Sequence, residues 1–479
     1  MPASQRTNSF LYFFPLLFVL CLAAFNVFYN LDKFSIAGWD EARHGVSAFE
    51  MLKQRHFLVH TYRYQPDYSN VKPVLSFWPV MLGYQTAGFT PLGLRFYSAL
   101  FAWLTIIAVT AFVYRTHGRP ASLATAISLS TCTPFIIDHC ARTGDADSLF
   151  VFLFTAAILA LLLTTTHLPW LYVSGMAFAL AFLTKSWHAA NIAVIIILYL
   201  AFSGRHRTLS RMHWVLFFSS MTVPVAVWGL LRYQQDGSVF LKAMVTQDAL
   251  YRLTTKLEGD VGSIGYYARI LVSSCHYWLL GLVLSLTYCL TWRSARERLF
   301  DDEKRWMGVV LWPAVPFVLL SLASTKVRWY VLPVYPALCV AIGALAGVIW
   351  QTGKSVTRAA LVLFVFVGSI YYEWQVFSYV SDPIPSLEQQ LISQMRGRSD
   401  VAGYNLYYYG HDRKAWPQSI VLAAELADDL TVADGGPAAF AKDPRSLLLV
   451  RREGDIDAWI KENALKVIAS NRWGAMVVK

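Results

Sequence analysis

Long apolar stretches recur along the chain and are separated by short polar connections. A helix needs roughly 18 or more apolar residues to cross a bilayer about 30 Å thick. About eleven stretches approach or exceed this length, at residues 10–29, 93–114, 120–138, 147–165, 168–184, 188–203, 213–231, 267–291, 306–323, 330–350 and 357–376. The pattern predicts an α-helical polytopic membrane protein with about eleven transmembrane helices.

The basic residues predict how these spans are oriented. The first stretch is long for the apolar region of a signal peptide, and no small-residue cleavage motif follows it, so we expect a retained span. If the N-terminus is cytoplasmic, the short basic loops all lie on the cytoplasmic side, as the positive-inside rule requires. The long segments 30–92 and 232–266 and the tail at 377–479 then lie outside.

The tail predicts a small C-terminal α/β domain at 377–479, after a transmembrane domain at 1–376. Its pattern combines a capping box, an amphipathic helix and short apolar strands. These features are Ser386 with Gln389, a C-cap at Gly397, strands at Ser446–Val450 and Ala475–Val478, and a helix at Asp455–Leu465. Tyr404–Tyr409 predicts a strand with aromatic packing, and contact with a glycan is the alternative.

The composition supports a membrane protein and weakens other assignments. Charged residues make up 15% of the chain and hydrophobic residues 56%, whereas soluble domains carry about 25% charge. The net charge of +11 does not indicate nucleic-acid binding, because the basic residues gather in short loops. The six cysteines lie in or beside apolar stretches and are interpreted as core residues. Without a glycine-rich phosphate loop, nucleotide binding has no support.

The first polar cluster is GWDEARHGVSAFEML at residues 38–52. Apolar residues recur there at three- and four-residue spacing, with Glu41 and Arg43 between them, which predicts an amphipathic helix on the membrane surface. Asp40 stands where this helix would start. Considered alone, Asp40 would be an N-cap, and the helix dipole would favour Glu41.

Two further clusters lie on the same predicted side. Lys72 precedes Pro73 within residues 60–79, where a lone lysine would be a snorkelling side chain. Ionisable residues also crowd the start of the span at 147–165. Acids at membrane depth are costly and tend to be functional, and an N-cap would explain only one of them. This third cluster contains Asp138, His139, Arg142, Asp145 and Asp147.

The remaining clusters supply cations and a phenol. Lys185 and His188 lie between two apolar stretches, and Lys326, Arg328 and Tyr330 lie at the outer end of another. The latter group could be an ordinary interfacial belt. Together, the clusters suit a reaction in which a carboxylate takes a hydroxyl proton and fixed cations stabilise a departing phosphate.

These motifs resemble the dolichyl-phosphate-mannose protein mannosyltransferase type of membrane glycosyltransferase, in particular its bacterial branch of 4-amino-4-deoxy-L-arabinose transferases acting on lipid A. Each motif is weak alone, but together, in family order over residues 38–336, they are fairly specific. The matching pieces are GWDEARHGVSAFEML (38–52), SNVKP (69–73), ARTGDADSLFVF (141–152), FLTKSW (182–187) and STKVRWYVLPVYP (324–336).

The resemblance implies a GT-C fold and a polyprenyl-phosphate sugar donor, used with inversion and without a nucleotide sugar. By motif, Asp40 matches the essential acid, and Asp147 matches the second acid. The expected phosphate-binding residues are Arg43, Lys72, Tyr330 and Lys326. Further substrate contacts are expected at Glu41, Arg142, Asp145, Lys185 and Arg328.

One position departs from this branch. The lipid A transferases carry a glutamate before the lysine, and that position is Val71 here. The glutamate is among the residues implicated in metal contact, so the resemblance leaves a divalent metal unassigned in this chain. It also leaves the acceptor open among lipid A, another glycolipid, a glycan and a protein.

The sequence therefore predicts a glycosyltransferase of the bacterial inner membrane, with its active site and C-terminal domain on the periplasmic side. The alternative is a transporter or flippase of a lipid-linked sugar. Transporters place polar groups near the bilayer midplane and often contain inverted repeats. Here the charges cluster towards one face and no repeat is evident, which favours the enzyme.

Overall fold

The computed structural model describes residues 3–251, 254, 262–409, 415–453 and 456–479. Within them, seven helical segments are long and apolar enough to cross a membrane: Pro91–His117, Trp170–Phe202, Arg211–Asp236, Tyr266–Thr291, Glu303–Leu322, Arg328–Thr352 and Ser355–Ser381. Trp170–Phe202 joins two helices, Trp170–Lys185 and Ala190–Phe202. The helix Ala3–Phe28 contains a shorter apolar part, Tyr12–Phe28, and Asp147–Leu163 is a shorter apolar helix. Arg119–Ser130 is a further short helix. Each predicted apolar stretch contains one of these helices, which confirms the polytopic helical class.

Small residues let the membrane helices approach closely. The helix Val334–Thr352 is buried along most of its length and packs against Arg119–Ser130. A Cβ on Gly343 would lie 1.8 Å from the Oγ1 of Thr125. Because apolar side chains gain little by exchanging lipid for a neighbouring helix, such close backbone packing is what stabilises the bundle.

The loop between the helices Ala3–Phe28 and Pro91–His117 contains secondary structure of its own. We call its first helix, Asp40–Gln54, the loop helix. It is followed by the hairpin strands β1 (Thr61–Tyr62) and β2 (Gln65–Pro66), a turn at Val74–Ser76 and a helix at Trp78–Ala87. Other short helical pieces are Pro134–Asp138, Val239–Ala243, Met244–Tyr251 and Arg293–Phe300.

The loop helix differs from its sequence prediction in two ways. Trp39 occupies the N-cap position, and no side chain caps the helix there, so the N-cap interpretation of Asp40 is wrong. The side chains of Glu41, His44 and Glu50 are also buried instead of facing water. Glu41 is enclosed by Arg95 and the backbone of Gly144, and the ring of Phe77 stacks on His44. Glu50 faces Glu425 of the C-terminal region.

The C-terminal region, whose helix Gln418–Glu425 contacts the loop helix, contains a five-stranded sheet of order β4-β3-β5-β7-β6. β3 is parallel to β4 and β5, whereas β7 is antiparallel to β5 and β6. The strands are β3 (Asn405–Tyr409), β4 (Thr431–Val432), β5 (Ser446–Arg451), β6 (Lys466–Ser470) and β7 (Gly474–Val478). The helices are Leu387–Ser393, Gln418–Glu425, Gly436–Lys442 and Ile456–Glu462.

This region matches most of its predicted pattern. The Oγ of Ser386 accepts from the N–H of Gln389, which is one half of the predicted capping box. The other half is not formed, because the side chain of Gln389 binds Ile36 and the N–H of Ser386 donates to Ser35. The C-cap prediction for Gly397 is wrong, because the helix ends at Ser393 with Gln394 as its C-cap. Gly397 lies in the turn beyond it and has a φ of 79°. The strands at Tyr404–Tyr409, Ser446–Val450 and Ala475–Val478 are confirmed within a residue or so. Asp455, the predicted start of the last helix, lies outside the described residues.

The C-terminal region is not packed separately from the loop. Its helix Gln418–Glu425 lies on the loop helix, and Leu406 and Leu422 belong to the same buried cluster as Val46. A Cβ on Gly45 would lie 2.4 Å from the Cδ2 of Leu422, so the two helices are in close contact. The expected boundary between 376 and 377 falls inside the helix Ser355–Ser381.

Candidate active site

A charged cleft of about 720 Å³ opens beside the first turn of the loop helix. Five parts of the chain that are far apart in sequence form its walls. They contribute five residues that the sequence predicts as site residues, namely Asp40, Arg43, Lys72, Lys185 and Tyr330. The other lining residues are Trp39, Ser69, Asn70, Val71, His188, Asp248, Val327 and Trp329.

Asp40 and Lys72 form an ion pair inside this cleft. The Nζ of Lys72 lies 2.8 Å from the Oδ1 of Asp40, and both side chains are about one-fifth exposed. Burial alone would raise the pKa of Asp40, but the charges of Lys72 and His139 outweigh it and hold the pKa well below its usual range. Asp40 is therefore a carboxylate whose proton affinity depends on where the Lys72 ammonium is.

Arg43 points into the cleft from the next turn of the loop helix. Its guanidinium donates to both carboxylate oxygens of Asp67 at 2.8 and 2.7 Å, and to the hydroxyl of Ser69 at 2.5 Å. Such a bidentate pair fixes the plane of the guanidinium. Asp67 was not predicted as a site residue, although its position in the same loop as Lys72 was a signal for it.

A second network surrounds His139, which lies in one of the polar clusters but is not among the predicted site residues. Its Nδ1 lies 2.9 Å from Asp145 and 3.3 Å from Asp147, and its Nε2 lies 3.8 Å from Asp40. Burial would lower the pKa of His139, but Asp145 and Asp147 raise it well above its usual range. Lys185 contacts the other oxygen of Asp147. A cationic imidazole thus links the two predicted catalytic acids.

Aromatic rings border both networks. The indole of Trp329 stacks on His139 with ring centroids 4.0 Å apart and an angle of 5°. Tyr330 meets His188 edge-on at 4.5 Å, and the Nζ of Lys185 lies 5.3 Å from the centre of the Tyr330 ring. These rings exclude water from one side of the cleft, which strengthens the charge interactions inside it.

The His139 network also has the donor types of a metal site. One ligand atom from each of His139, Asp145 and Asp147 lies within 4.8 Å of the others. However, the ammonium of Lys185 already contacts Asp147, and the Nδ1 of His139 lies 2.9 Å from Asp145 and 3.3 Å from Asp147. The geometry favours an ion-pair network over a divalent cation.

Two predicted substrate contacts lie behind the cleft, in buried structural networks. Glu41 accepts from the guanidinium of Arg95 at 2.6 and 2.8 Å and from the N–H groups of Ala37 and Gly144. Arg142 donates to the backbone carbonyls at the end of the first helix, those of Asn26, Val27 and Tyr29. Both side chains hold the loop to the helices, and neither lines the cleft.

Two more predicted residues are engaged elsewhere. The buried Nζ of Lys326 donates to the carbonyls of Leu320, Ser321 and Ala323, where the helix Glu303–Leu322 ends. This arrangement satisfies carbonyls that have no partner in the helix, and it turns Lys326 away from the cleft. Arg328 pairs with Asp138 at 2.8 Å and is more than half exposed.

An apolar groove continues from the cleft. It is open to the surroundings and spans about 1060 Å³ between the start of the helix Ala190–Phe202 and the end of Glu303–Leu322. His188, Asp248 and Tyr330 line both the groove and the cleft. A molecule with a charged head and a long apolar tail would fit this combination.

The chain is similar to membrane sugar transferases. The profile of the family described as dolichyl-phosphate-mannose-protein mannosyltransferase matches residues 71–228. An undecaprenyl phosphate-α-4-amino-4-deoxy-L-arabinose arabinosyl transferase of Pseudomonas fluorescens is 24% identical over 391 residues, which cover 76% of this chain and 67% of that protein. A transferase of the same name from Serratia proteamaculans is 25% identical over 64% of this chain and 54% of its own length.

Solved structures match over nearly the whole chain. The crystal structure of ArnT from Cupriavidus metallidurans bound to undecaprenyl phosphate superposes with a TM-score of 0.71 at 15% identity, covering 96% of this chain and 97% of that one. The oligosaccharyltransferase of Archaeoglobus fulgidus gives a TM-score of 0.55 at 11% identity, over 89% and 65% of the two chains. The resemblance over residues 38–336 and the GT-C fold that the sequence predicts are confirmed. The similarity of fold also extends over the C-terminal region, which the resemblance does not cover.

Proposed function

We propose that this multi-pass membrane protein of the GT-C fold is an inverting glycosyltransferase that moves a sugar from a polyprenyl-phosphate donor to an envelope acceptor. The observation that carries the proposal is the cleft itself, because it brings the carboxylate of Asp40 and several cations beside an apolar groove. The acceptor would offer a hydroxyl or a phosphate oxygen, on lipid A, another glycolipid, a glycan or a protein. The relatives named for aminoarabinose transfer support the donor class.

The donor phosphate would lie between Arg43, Lys72 and Lys185, and Tyr330 would donate its phenol to a phosphate oxygen. Cations fixed in a partly buried cleft stabilise the charge that grows on a leaving phosphate. The polyprenyl chain would occupy the apolar groove beyond His188 and Tyr330. Head and tail would then be recognised by adjoining parts of one surface.

Asp40 would act as the general base. Before the donor binds, the pairing with Lys72 lowers the proton affinity of Asp40. A donor phosphate would compete for the Lys72 ammonium, and the carboxylate would then be free to accept the proton of the acceptor. The acceptor oxygen attacks the anomeric carbon from the opposite face, the bond from that carbon to the phosphate oxygen breaks, and its electrons leave with polyprenyl phosphate.

Asp147 would support this step through His139. The imidazolium between Asp147, Asp145 and Asp40 holds the second acid at a fixed distance from the first. Lys185, which contacts Asp147, lines the cleft and would also be available to the leaving phosphate. We propose that Asp147 orients the sugar or the acceptor.

We further propose a bacterial inner-membrane location, with a cytoplasmic N-terminus and a periplasmic cleft. The basic short loops support this topology through the positive-inside rule. Residues 1–376 would form the transferase domain and 377–479 a periplasmic domain that covers the loop helix.

The proposal is tested by incubating the purified protein with undecaprenyl-phosphate sugars, including the aminoarabinose donor, and with lipid A. We expect release of undecaprenyl phosphate that depends on the acceptor. The same protein in vesicles, given a labelled lipid-linked sugar, tests the alternative of transport. Movement of the intact lipid-linked sugar between leaflets without release of undecaprenyl phosphate would contradict the proposal.

A further inference from the structure

The segment Ile36–Trp39 leads directly into Asp40, and side chains of the C-terminal region hold its backbone. The Oε1 of Gln389 accepts from the N–H of Ile36 at 2.8 Å, and its Nε2 donates to the carbonyl of Ile36 at 2.9 Å. The Oε1 of Gln418 accepts from the N–H of Trp39 at 2.9 Å. Two amides that are far away in sequence thus fix the approach to the candidate base.

The backbone at Trp39 needs such a restraint. Its φ of 63° and ψ of −107° lie in a region that residues with a Cβ rarely adopt. Conformations of this kind persist only where the surroundings fix them, and they concentrate at functional sites. No side chain caps the loop helix at this end, so the bond to Gln418 is a direct restraint on the residue before Asp40.

Both glutamines lie on helices that are themselves bound to the loop before Asp40 or to the loop helix. Gln389 lies in the first turn of the helix Leu387–Ser393, and the N–H of Ser386 beside it donates to the hydroxyl of Ser35 at 2.5 Å. Gln418 begins the helix Gln418–Glu425, which packs closely on the loop helix through Leu422. A shift of either helix would therefore move the segment before Asp40.

We propose that Gln389 and Gln418 are positioning residues through which the C-terminal region aims the carboxylate of Asp40. This inference rests on the proposed function of Asp40 as the base. The glutamines touch backbone atoms at 36 and 39 and do not line the cleft. Their loss should change the rate of the chemical step more than the affinity for the donor.

The test compares substitutions that remove or keep the acceptor oxygen, in the full-length protein. Gln418→Leu removes it, whereas Gln418→Glu keeps an oxygen for the N–H of Trp39. Since a misplacement of about 1 Å at a reacting group can cost about 10²-fold in rate, we expect kcat to fall by up to about 10²-fold in Gln418→Leu. The donor KM should change little, and Gln418→Glu should recover most of the rate.

A matched pair on the other helix checks the second contact. Gln389→Met removes both bonds to Ile36 and should lower kcat in the same way. Gln390→Met changes the exposed neighbour on the same helix and should leave kcat unchanged. Equal losses in Gln418→Leu and Gln418→Glu, or a normal kcat in Gln418→Leu and Gln389→Met, would overturn the proposal.

Amide hydrogen exchange over residues 34–42 gives a readout that needs no activity. Loss of the acceptor should speed exchange at Trp39 in Gln418→Leu but not in Gln418→Glu. If the wild-type protein releases no undecaprenyl phosphate, the proposed function fails on that assay. The contact between Gln418 and Trp39 is then tested by amide exchange alone. Unchanged exchange at Trp39 in Gln418→Leu as well as in Gln418→Glu would overturn it.

Discussion

The loop helix presents two unlike faces, and the neighbouring acids Asp40 and Glu41 show the difference. Asp40 is 22% exposed and pairs with Lys72 on the cleft face. Glu41 is 1% exposed and pairs with Arg95 of the helix Pro91–His117 on the packed face. A partly hydrated pair can exchange its cation for a ligand, whereas breaking a buried pair leaves an uncompensated charge. An acid paired with a cation thus has a proposed role in the reaction on the cleft face and a role in stability on the packed face.

The largest expected effect is on the cleft face. Asp40→Asn keeps the size of the side chain but removes the base, and general base catalysis contributes about 10²–10⁴-fold. We expect transfer to fall by this factor while the thermal unfolding temperature stays near that of the wild type. Release of undecaprenyl phosphate and unfolding in detergent are the two measurements.

Asp32→Asn is the matched control for that substitution. Asp32 lies in the same loop, is 42% exposed and pairs only with its neighbour Lys33 among the ion pairs described. Its replacement should leave both transfer and unfolding unchanged. An equal loss of transfer in the two variants would show that the loop, and not the carboxylate in the cleft, is what matters.

On the packed face we expect a loss of stability. Glu41→Gln leaves the guanidinium of Arg95 buried without its counter-charge, which costs about 3 kcal/mol or more. The protein should unfold at a lower temperature and yield less folded material. Protein that remains folded should still bind undecaprenyl phosphate. Wild-type stability together with lost donor binding would reverse the roles given to the two faces.

Lys72 allows a finer test of the cleft face. Lys72→Ala removes a hydrogen bond to a charged group, worth about 1.5–3 kcal/mol, so the donor KM should rise about 10- to 100-fold. Lys33→Ala, which changes an exposed lysine of the same loop, is the control. Steady-state kinetics over a range of donor concentrations measures both, and an unchanged KM in Lys72→Ala would count against a phosphate contact.

The smallest expected effect is on how stability depends on pH, and it concerns Glu425, which lies against the packed face. Burial, together with the facing Glu50 and the nearby Asp429, raises the pKa of Glu425 well above its usual range; Tyr62, Tyr64 and Tyr84 also lie near it. A raised pKa means that the folded state holds a proton that the unfolded state releases above about pH 4.3. Stability should therefore fall as pH rises from there towards the raised pKa.

Glu425→Gln removes this titration and keeps a neutral side chain. We expect its unfolding temperature to vary less between about pH 5 and pH 8 than that of the wild type, by a few degrees. Thermal unfolding at a series of pH values checks this difference. Parallel curves for the two proteins would show that the carboxyl pair does not hold a proton in the folded state.

The spans and the cleft could be predicted from the sequence for a simple reason. Apolar length and motif order are local properties, and Asp40, Arg43 and Lys72 lie in short, recognisable stretches. What brings the stretches together is the packing of the whole bundle, and the sequence indicates it only through the resemblance to a family.

Long-range contacts explain what the sequence could not assign. Lys326 is part of a recognised motif, yet it bonds to carbonyls at a helix end because the chain turns back there. His139 lies beside several charged residues in the sequence, and no local pattern shows that His139 is the residue that links Asp40 to Asp147. The burial of Glu50 depends on Glu425, which is hundreds of residues away in sequence.

The central claim is that the cleft face carries the chemistry of sugar transfer. The most direct test loads wild-type and Asp40→Asn protein with an undecaprenyl-phosphate sugar, adds acceptor and follows a single turnover by the release of undecaprenyl phosphate. We predict that both proteins bind the donor and that only the wild type releases undecaprenyl phosphate at an appreciable rate. Release by Asp40→Asn at close to the wild-type rate would contradict the account.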